Sequence, residues 1–310
     1  MTSQKILRIL VLGHSHFVNM LAPMLSNESM IFQPFEGGRR LSWVPSLFRS
    51  DACYFIGGGW RDDRFQKFAR FFHKPIVVHW VGTDVLMAGK AKEMGKVSDT
   101  VIRANINWAE ISWTTKELEA IGVYAEIVPL TSSMVTSELA PLPQEFTVLA
   151  YLPSTRPIFY GGHYILRLAR EMPDIRILCV GSEESPFHFT SEPLPSNIEF
   201  LGHPDSLEDV YLQTTVLIRV VEHDGLSFMV LEALAHGRYV IWSYPLDDAP
   251  GLSVAKNYEM MREQIDVLYK KNVRGDLMRN FEGAQFVRSH YAPEQIAEEI
   301  RGRFYRLINQ

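Results

Sequence analysis

The sequence predicts an α/β protein built from two parallel-sheet domains. Three observations lead there. Short apolar runs of strand length alternate with helix-period segments almost from the first residue. A stretch rich in Ser, Thr and Pro, residues 129–143, interrupts the alternation, which then restarts. Finally, 310 residues with 46% apolar and 22% charged content supply enough material for two cores.

The elements follow in order. Residues 6–12 form an apolar run too long for a turn and too short for a core helix, which makes them the opening strand. Comparable runs at 30–33, 52–56 and 76–80 read as further strands, and 110–113 and 124–128 complete the first set. Helical patterns fill the gaps at 15–26, 61–72, 98–108 and 115–121. This is a first Rossmann-like domain, placed at 1–140. A fresh strand at 146–151 opens the second set, with strands at 175–180, 198–201, 216–221 and 239–242. Helices are expected at 160–171, 206–213 and 226–236, the last closed by Gly237. This second Rossmann-like domain spans 141–290. In the tail, 291–310, Pro293 suits a first helical turn and Ile296, Ile300, Phe304 and Leu307 recur at three and four spacing, giving one amphipathic helix.

Composition excludes several function classes. A net charge of −5 argues against a general nucleic-acid binder, which carries a basic face. The two cysteines, Cys53 and Cys179, lie inside apolar runs, and no Cys/His cluster has zinc spacing, so free core thiols in a reducing compartment and no metal site are expected. Residues 6–12 are too short to span a bilayer and no cleavage-site pattern follows a basic start, which places the protein in the cytoplasm.

In open parallel sheets, ligands bind beyond the carboxyl ends of the strands, so the loops there carry the functional candidates. The first is Gly13-His14-Ser15-His16, which lacks the G-x-G-x-x-G spacing of dinucleotide oxidoreductases. The second, Gly57-Gly58-Gly59-Trp60, lets a ligand or a backbone approach closely beside a flat aromatic face. In the third, His79-Trp80-Val81-Gly82-Thr83-Asp84-Val85, Asp84 suits either a helix cap or a place in a cleft. In the second domain, Arg156 and Arg219 stand at strand ends, where guanidinium forks suit diphosphate oxygens. Gly181 to Glu184 and Gly202 to Asp205 close two more strands.

The most informative stretch is 219–237: a strand end, a polar turn and a helix, with Asp224 and Glu232 eight positions apart. The helix N-terminus offers a positive seat for an anion. Glu232 is embedded among Leu231, Ala233 and Leu234, so its carboxylate needs partners, either in the protein or in a ligand. Along a helix, eight positions span roughly 12 Å, comparable with the distance from a ribose through two phosphates to a sugar.

With these residues assembled, the chain resembles the retaining GT-B glycosyltransferases, in particular glycosyltransferase family 4 (group 1). The segment from Asp224-Gly225-Leu226-Ser227 to Glu232-Ala233-Leu234-Ala235-His236-Gly237 is similar to that family's E-x7-E motif, with Asp in place of the first Glu. The resemblance implies two Rossmann-like domains facing across a cleft, an N-terminal acceptor domain, a C-terminal donor domain and a last helix packing back toward the first. It implies transfer of a hexosyl unit from a UDP- or GDP-linked sugar to a glycan or lipid-linked acceptor, with retention, and with neither a metal nor a resident cofactor. Carried over, Asp224 faces the sugar, with His79 and Asp84 on the catalytic side. Gly13, Arg156, Arg219, Gly225, Leu226, Ser227 and Glu232 bind the donor, and His14, His16, Gly58, Gly59, Trp60 and Thr83 line the acceptor side. Two departures accompany it. The R-x4-K-G pattern that usually opens the second domain is absent, with Arg156 and Tyr160-Gly161-Gly162 in its place, and Gly57 to Trp60 stands where a first-domain His is usual. These departures keep open a non-catalytic nucleotide-sugar-binding protein, and because a fold alone does not assign chemistry, a sugar-nucleotide epimerase on the same fold stays open as well.

One segment stands apart from the acidic whole. Between 38 and 74 there are eight basic residues (Arg39, Arg40, Arg49, Arg61, Arg64, Lys67, Arg70, Lys74) against Asp51, Asp62 and Asp63, interleaved with Trp43, Phe48, Phe65, Phe68, Phe71 and Phe72. Such a surface suits peripheral contact with anionic lipid on the inner face of the membrane; a solvated helix face with its aromatics in the core is the alternative.

Overall fold

The computed structural model describes residues 5–35, 43–58, 64–96, 105–136 and 139–309. The chain divides into two compact units, residues 1–133 with 293–310, and residues 134–292.

In the first unit the sheet order is β2-β1-β3-β4-β5-β6, with every pairing parallel. The strands are β1 (Leu7–Gly13), β2 (Met30–Pro34), β3 (Ala52–Ile56), β4 (Ile76–Trp80), β5 (Ile106–Ala109) and β6 (Glu126–Ile127). Strands β3 and β4 are buried at every position, which is why they read as unbroken apolar runs. Helices α1 (Ser15–Leu25), α2 (Val44–Arg49), α3 (Arg64–Phe71), α4 (Thr83–Glu93) and α5 (Ser112–Ala120) alternate with them. One sheet face packs Leu10, Phe55, Val78 and Trp80 against Phe65, Ala69, Val85 and Leu118. On the other, Phe304 of α11 (Pro293–Ile308) sits at 5.3 Å from both Tyr54 and Trp108 and at 5.5 Å from Phe32 between ring centres. Arg301 on the same helix donates to the Leu25 carbonyl at the end of α1.

The second unit repeats the plan with order β12-β11-β10-β7-β8-β9, again all parallel. Its strands are β7 (Thr147–Tyr151), β8 (Arg176–Val180), β9 (Ile198–Phe200), β10 (Val216–Arg219), β11 (Tyr239–Trp242) and β12 (Leu252–Val254). The helices are α6 (Gly162–Glu171), α7 (Glu208–Leu212), α8 (Phe228–Ala235), α9 (Tyr258–Val273) and α10 (Phe281–His290). Asn257 and Asn280 cap α9 and α10 through their side-chain oxygens.

One stretch differs from expectation. The strand anticipated at 110–113 lies at Ile106–Ala109, inside the end of an anticipated helix, and Ser112 begins α5 instead. Asn107 breaks the apolar run, yet its side-chain oxygen accepts the Trp80 indole N–H at 3.0 Å and its amide donates to the Asn105 carbonyl. A satisfied Asn is tolerated in a buried strand, whereas the polar–apolar alternation after it only mimics one. Strand β12 and helices α2, α4, α9 and α10 are added to the elements read from the sequence.

Candidate functional site

Each sheet has one switch point, where neighbouring strands lead to opposite sides: β1/β3 in the first unit and β7/β10 in the second. Loops leaving such a pair diverge and open a crevice.

In the first unit, Gly13 ends β1 with φ +151, and a β-carbon there would stand 2.2 Å from the Ile56 carbonyl oxygen. The close approach of β1 to β3 therefore requires glycine. His14 follows, exposed, with its ring edge-on to Phe17. His16 lies in α1, but its side chain, like Gly59 and Trp60, falls outside the described residues. Gly57 and Gly58 both hold positive φ. They meet the start of α4, where Asp84 is buried and accepts the Val81 N–H at 2.9 Å, beside half-buried Thr83. Burial pushes the Asp84 carboxyl up to about 6, against the opposing pull of backbone amides at Val81, Asp84, Val85 and Gly58. Asp84 thus ties the first turn of α4 to the loops after β3 and β4, from a place inside the helix rather than at its cap, which is Gly82.

His79 requires a correction. Although it lies at the end of β4, it has no exposed surface, and both ring nitrogens are occupied. Nε2 is 2.8 Å from the Val128 carbonyl, an acceptor only, so it carries the proton, and Nδ1 accepts the Tyr54 O–H at 2.6 Å. Burial, with Arg303 adding to it, pushes the imidazole down to about 3 against the Val128 bond. A neutral, sealed histidine positions strands and touches no substrate. Its side chain points to the sheet face covered by Phe304, which period-two alternation assigns to alternate strand residues.

The second unit's crevice holds a connected set of side chains. Arg219, the last residue of β10, grips Asp224 through Nε to Oδ2 at 2.5 Å and Nη2 to Oδ1 at 2.9 Å. The Trp242 indole N–H adds a third bond, 3.0 Å to Oδ2. Trp242 is the register partner of Arg219 on β11, so the two strand ends deliver both donors to one carboxylate. Both ionic side chains are only 12% exposed. Asp224, expected to face a sugar, instead has both oxygens engaged by the protein, because its one-methylene side chain folds back onto the strand it has just left.

Arg219 also lies over the Tyr151 ring, 5.7 Å from its centre, and Tyr151 meets Tyr160 edge-on at 5.1 Å. Arg156, exposed and in the left-handed conformation at φ +61, stacks over Phe159 and Tyr160 at 5.0 and 5.9 Å. A cation and aromatic ladder thereby joins the two sides of the switch point. The loop carrying it is seated on the segment that follows β10: the Glu222 N–H donates to the Phe159 carbonyl, and a β-carbon at Gly161 would stand 2.3 Å from the Val220 oxygen. Gly225, Leu226 and Ser227 are buried and lead into α8, with Ser227 at its N-cap. Glu232 is 6% exposed and accepts the Tyr211 O–H at 2.7 Å. The charges of Glu232 and Arg219 both act on the buried Tyr211 hydroxyl, whose pKa burial holds well above its ordinary value.

The structure thus gathers Arg156, Arg219, Asp224, Gly225, Leu226, Ser227 and Glu232 within the second unit, and Gly13, His14, Gly58, Thr83 and Asp84 within the first. Tyr151, Tyr211 and Trp242 were not anticipated as site residues, and Tyr160 was noted only as standing where the family pattern has Lys. Trp242 was legible in principle as the last residue of a strand next to Arg219. Among the described residues no group of three or more His, Cys, Asp and Glu side chains forms a metal site, and no helix is long and apolar enough to cross a membrane.

No family model matches the chain, and no curated protein matches its sequence. Solved structures do match its fold. Sucrose-phosphate synthase from Thermosynechococcus elongatus superimposes with a TM-score of 0.70 at 14% identity, covering 98% of this chain and 99% of that one. HepE from Anabaena, solved with UDP and glucose, gives 0.68 at 10% identity over 97% and 99%. The UDP-GlcNAc 2-epimerase from Neisseria meningitidis, bound to UDP-GlcNAc, gives 0.56 at 12% identity over 97% and 100%. The chain has the two-sheet GT-B architecture. At these identities the likeness shows the fold, and chemistry has to be argued from the site.

Proposed function

We propose that the protein is a glycosyltransferase that moves a hexosyl unit from a UDP- or GDP-linked sugar to a glycan or lipid-linked acceptor with retention of configuration, as family 4 enzymes do. The observation that carries this reading is the β7/β10 switch point, where a guanidinium held by two bonds to Asp224 stands beside the amino end of α8. Departure of a nucleoside diphosphate builds negative charge, and a fixed cation with a helix dipole stabilises that charge as it develops. Arg219 is the principal cation in this scheme and Arg156 the outer one. Asp224 acts through Arg219 rather than on the sugar, and Glu232, with Tyr211, meets the ribose hydroxyls. No resident cofactor or metal enters the scheme. The residues at the β1/β3 crevice, His14, Gly58, Thr83 and Asp84 among them, form the acceptor side.

Incubation with a panel of UDP- and GDP-sugars, with nucleotide release as the readout, tests the proposal. Hydrolysis or transfer from at least one donor is expected. Glu232→Ala should weaken nucleotide binding about tenfold or more, as the loss of a charged hydrogen bond does. Asp224→Asn should lower turnover by freeing Arg219. Unchanged kinetics in both variants would refute the site assignment. Two features favour a second reading, a non-catalytic nucleotide-sugar binder: Asp224 is withdrawn from the sugar and the R-x4-K-G pattern is absent. Tight nucleotide binding without release from any donor would select it. The epimerase fold match supports a third reading, which would show as a changed sugar on an intact donor.

A further inference from the structure

Helix α3 buries one face and leaves phenylalanine on the other. Phe65 and Ala69 enter the core beside Phe55, whereas Phe68 and Phe71 are 44% and 74% exposed. Phe48 of α2 joins them at 54% exposure. The rings form one patch around Phe72, whose centre is 4.6 Å from Phe48, 5.1 Å from Phe71 and 6.5 Å from Phe68. Packing of the unit explains Phe65 and one edge of Phe68, whose ring meets Trp43 at 5.4 Å; it does not explain the exposed surface of Phe48, Phe68 and Phe71 on two adjoining helices. A continuous exposed apolar patch marks an interaction surface.

The surrounding charge identifies what it meets. Over residues 43–74 six basic residues (Arg49, Arg61, Arg64, Lys67, Arg70 and Lys74) stand against three acids (Asp51, Asp62 and Asp63), and Asp51 is paired with Lys5 at 2.6 Å. Arg49 and Lys67 are exposed at the patch. This concentration of positive charge sits in a chain of net charge −5. A second copy docked face to face would bring these cations against their own images, which opposes association. An anionic lipid surface neutralises them while its acyl boundary takes up the rings, and long basic side chains reach back to the headgroups. We infer that the α2–α3 face, led by Phe48, Phe68 and Phe71 and flanked by Arg49 and Lys67, docks on anionic membrane.

The inference stands independently of glycosyl transfer, and its test needs no donor or acceptor. The full chain is sedimented with vesicles of phosphatidylcholine alone and of phosphatidylcholine with one quarter phosphatidylglycerol, at low and high salt. Pelleting with the anionic vesicles at low salt, reduced by salt and small with the neutral ones, is expected. The surface double variant Arg49→Glu/Lys67→Glu should partition about tenfold or more weakly, at about 1 kcal/mol for each basic residue near an anionic surface. Phe68→Ser/Phe71→Ser should lose binding at both salt concentrations, with circular dichroism confirming an intact fold. The inference is overturned by equal partitioning to both vesicle types or by wild-type binding of the phenylalanine variant. It is equally overturned by a concentration-dependent dimer in sedimentation velocity that the same phenylalanine substitutions abolish, since the occupant is then a second copy.

Discussion

Asp84→Asn isolates the cost of a buried carboxylate at the head of α4. Burial holds the group's pKa at about 6 in the native protein against an ordinary 3.8. Below the lower value the carboxyl is neutral in both folded and unfolded chains and costs nothing. Between the two values the unfolded chain has released its proton while the native one keeps it, so the native state binds more protons and stability falls as pH rises. Above about 6 the loss is complete. A gap of about two pH units corresponds to about 3 kcal/mol at about 1.4 kcal/mol per unit, and roughly 2.5 kcal/mol of it falls between about pH 4 and pH 7. Asparagine retains an acceptor for the Val81 N–H and does not ionise. Its altered contacts with the other amides add a constant offset, so the pH-dependent part of the wild-type minus variant difference isolates the ionisation. Urea titrations at a series of pH values, followed by tryptophan fluorescence, measure it. Five of the six tryptophans belong to the first unit and Trp242 alone to the second, so the signal reports chiefly the unit that holds Asp84. The wild type should lose stability relative to the variant as pH rises. A difference flat within about 0.5 kcal/mol, or one of opposite slope, would refute the reasoning.

Two further outcomes follow from packing. Gly161→Ala sets a β-carbon 2.3 Å from the Val220 oxygen at φ +77, and should cost about 2–3 kcal/mol, read from Trp242 in thermal melts on a variant lacking the other tryptophans. Both thiols are wholly buried, with Cys53 pushed up to about 12 by that burial and Cys179 further still. Neither should react with an aromatic disulfide reagent until the protein is unfolded, and rapid native labelling of either would contradict the core placement.

Much of the fold was legible because parallel strands buried on both faces leave an unmistakable trace. Residues such as Ala52 to Ile56 and Ile76 to Trp80 have no polar alternation to blur them. Legibility failed where one polar residue was satisfied internally, as Asn107 is by Trp80. Helices α9 and α10 carried readable caps in Asn257 and Asn280, but α9 has only a weak apolar stripe. In the site, sequence spacing brought out Asp224 and Glu232 as a pair. It could not show that Arg219, five residues earlier, would close on Asp224, since that depends on a turn reversing the chain and on a tryptophan one strand away. The same limit applies to His79, whose place at a strand end suggested function while the direction of its side chain, toward α11, decided otherwise.

The allocation of α11 has a consequence for the order of synthesis. Phe304 fills the aromatic nest of Phe32, Tyr54 and Trp108, yet 159 residues of the second unit separate it from the rest of the first. The unit translated first is therefore the last to be completed, and its aromatic nest waits uncovered while the second unit emerges and folds. A chain without α11 leaves the aromatic nest of Phe32, Tyr54 and Trp108 open, so the closure of that nest reports whether α11 is in place.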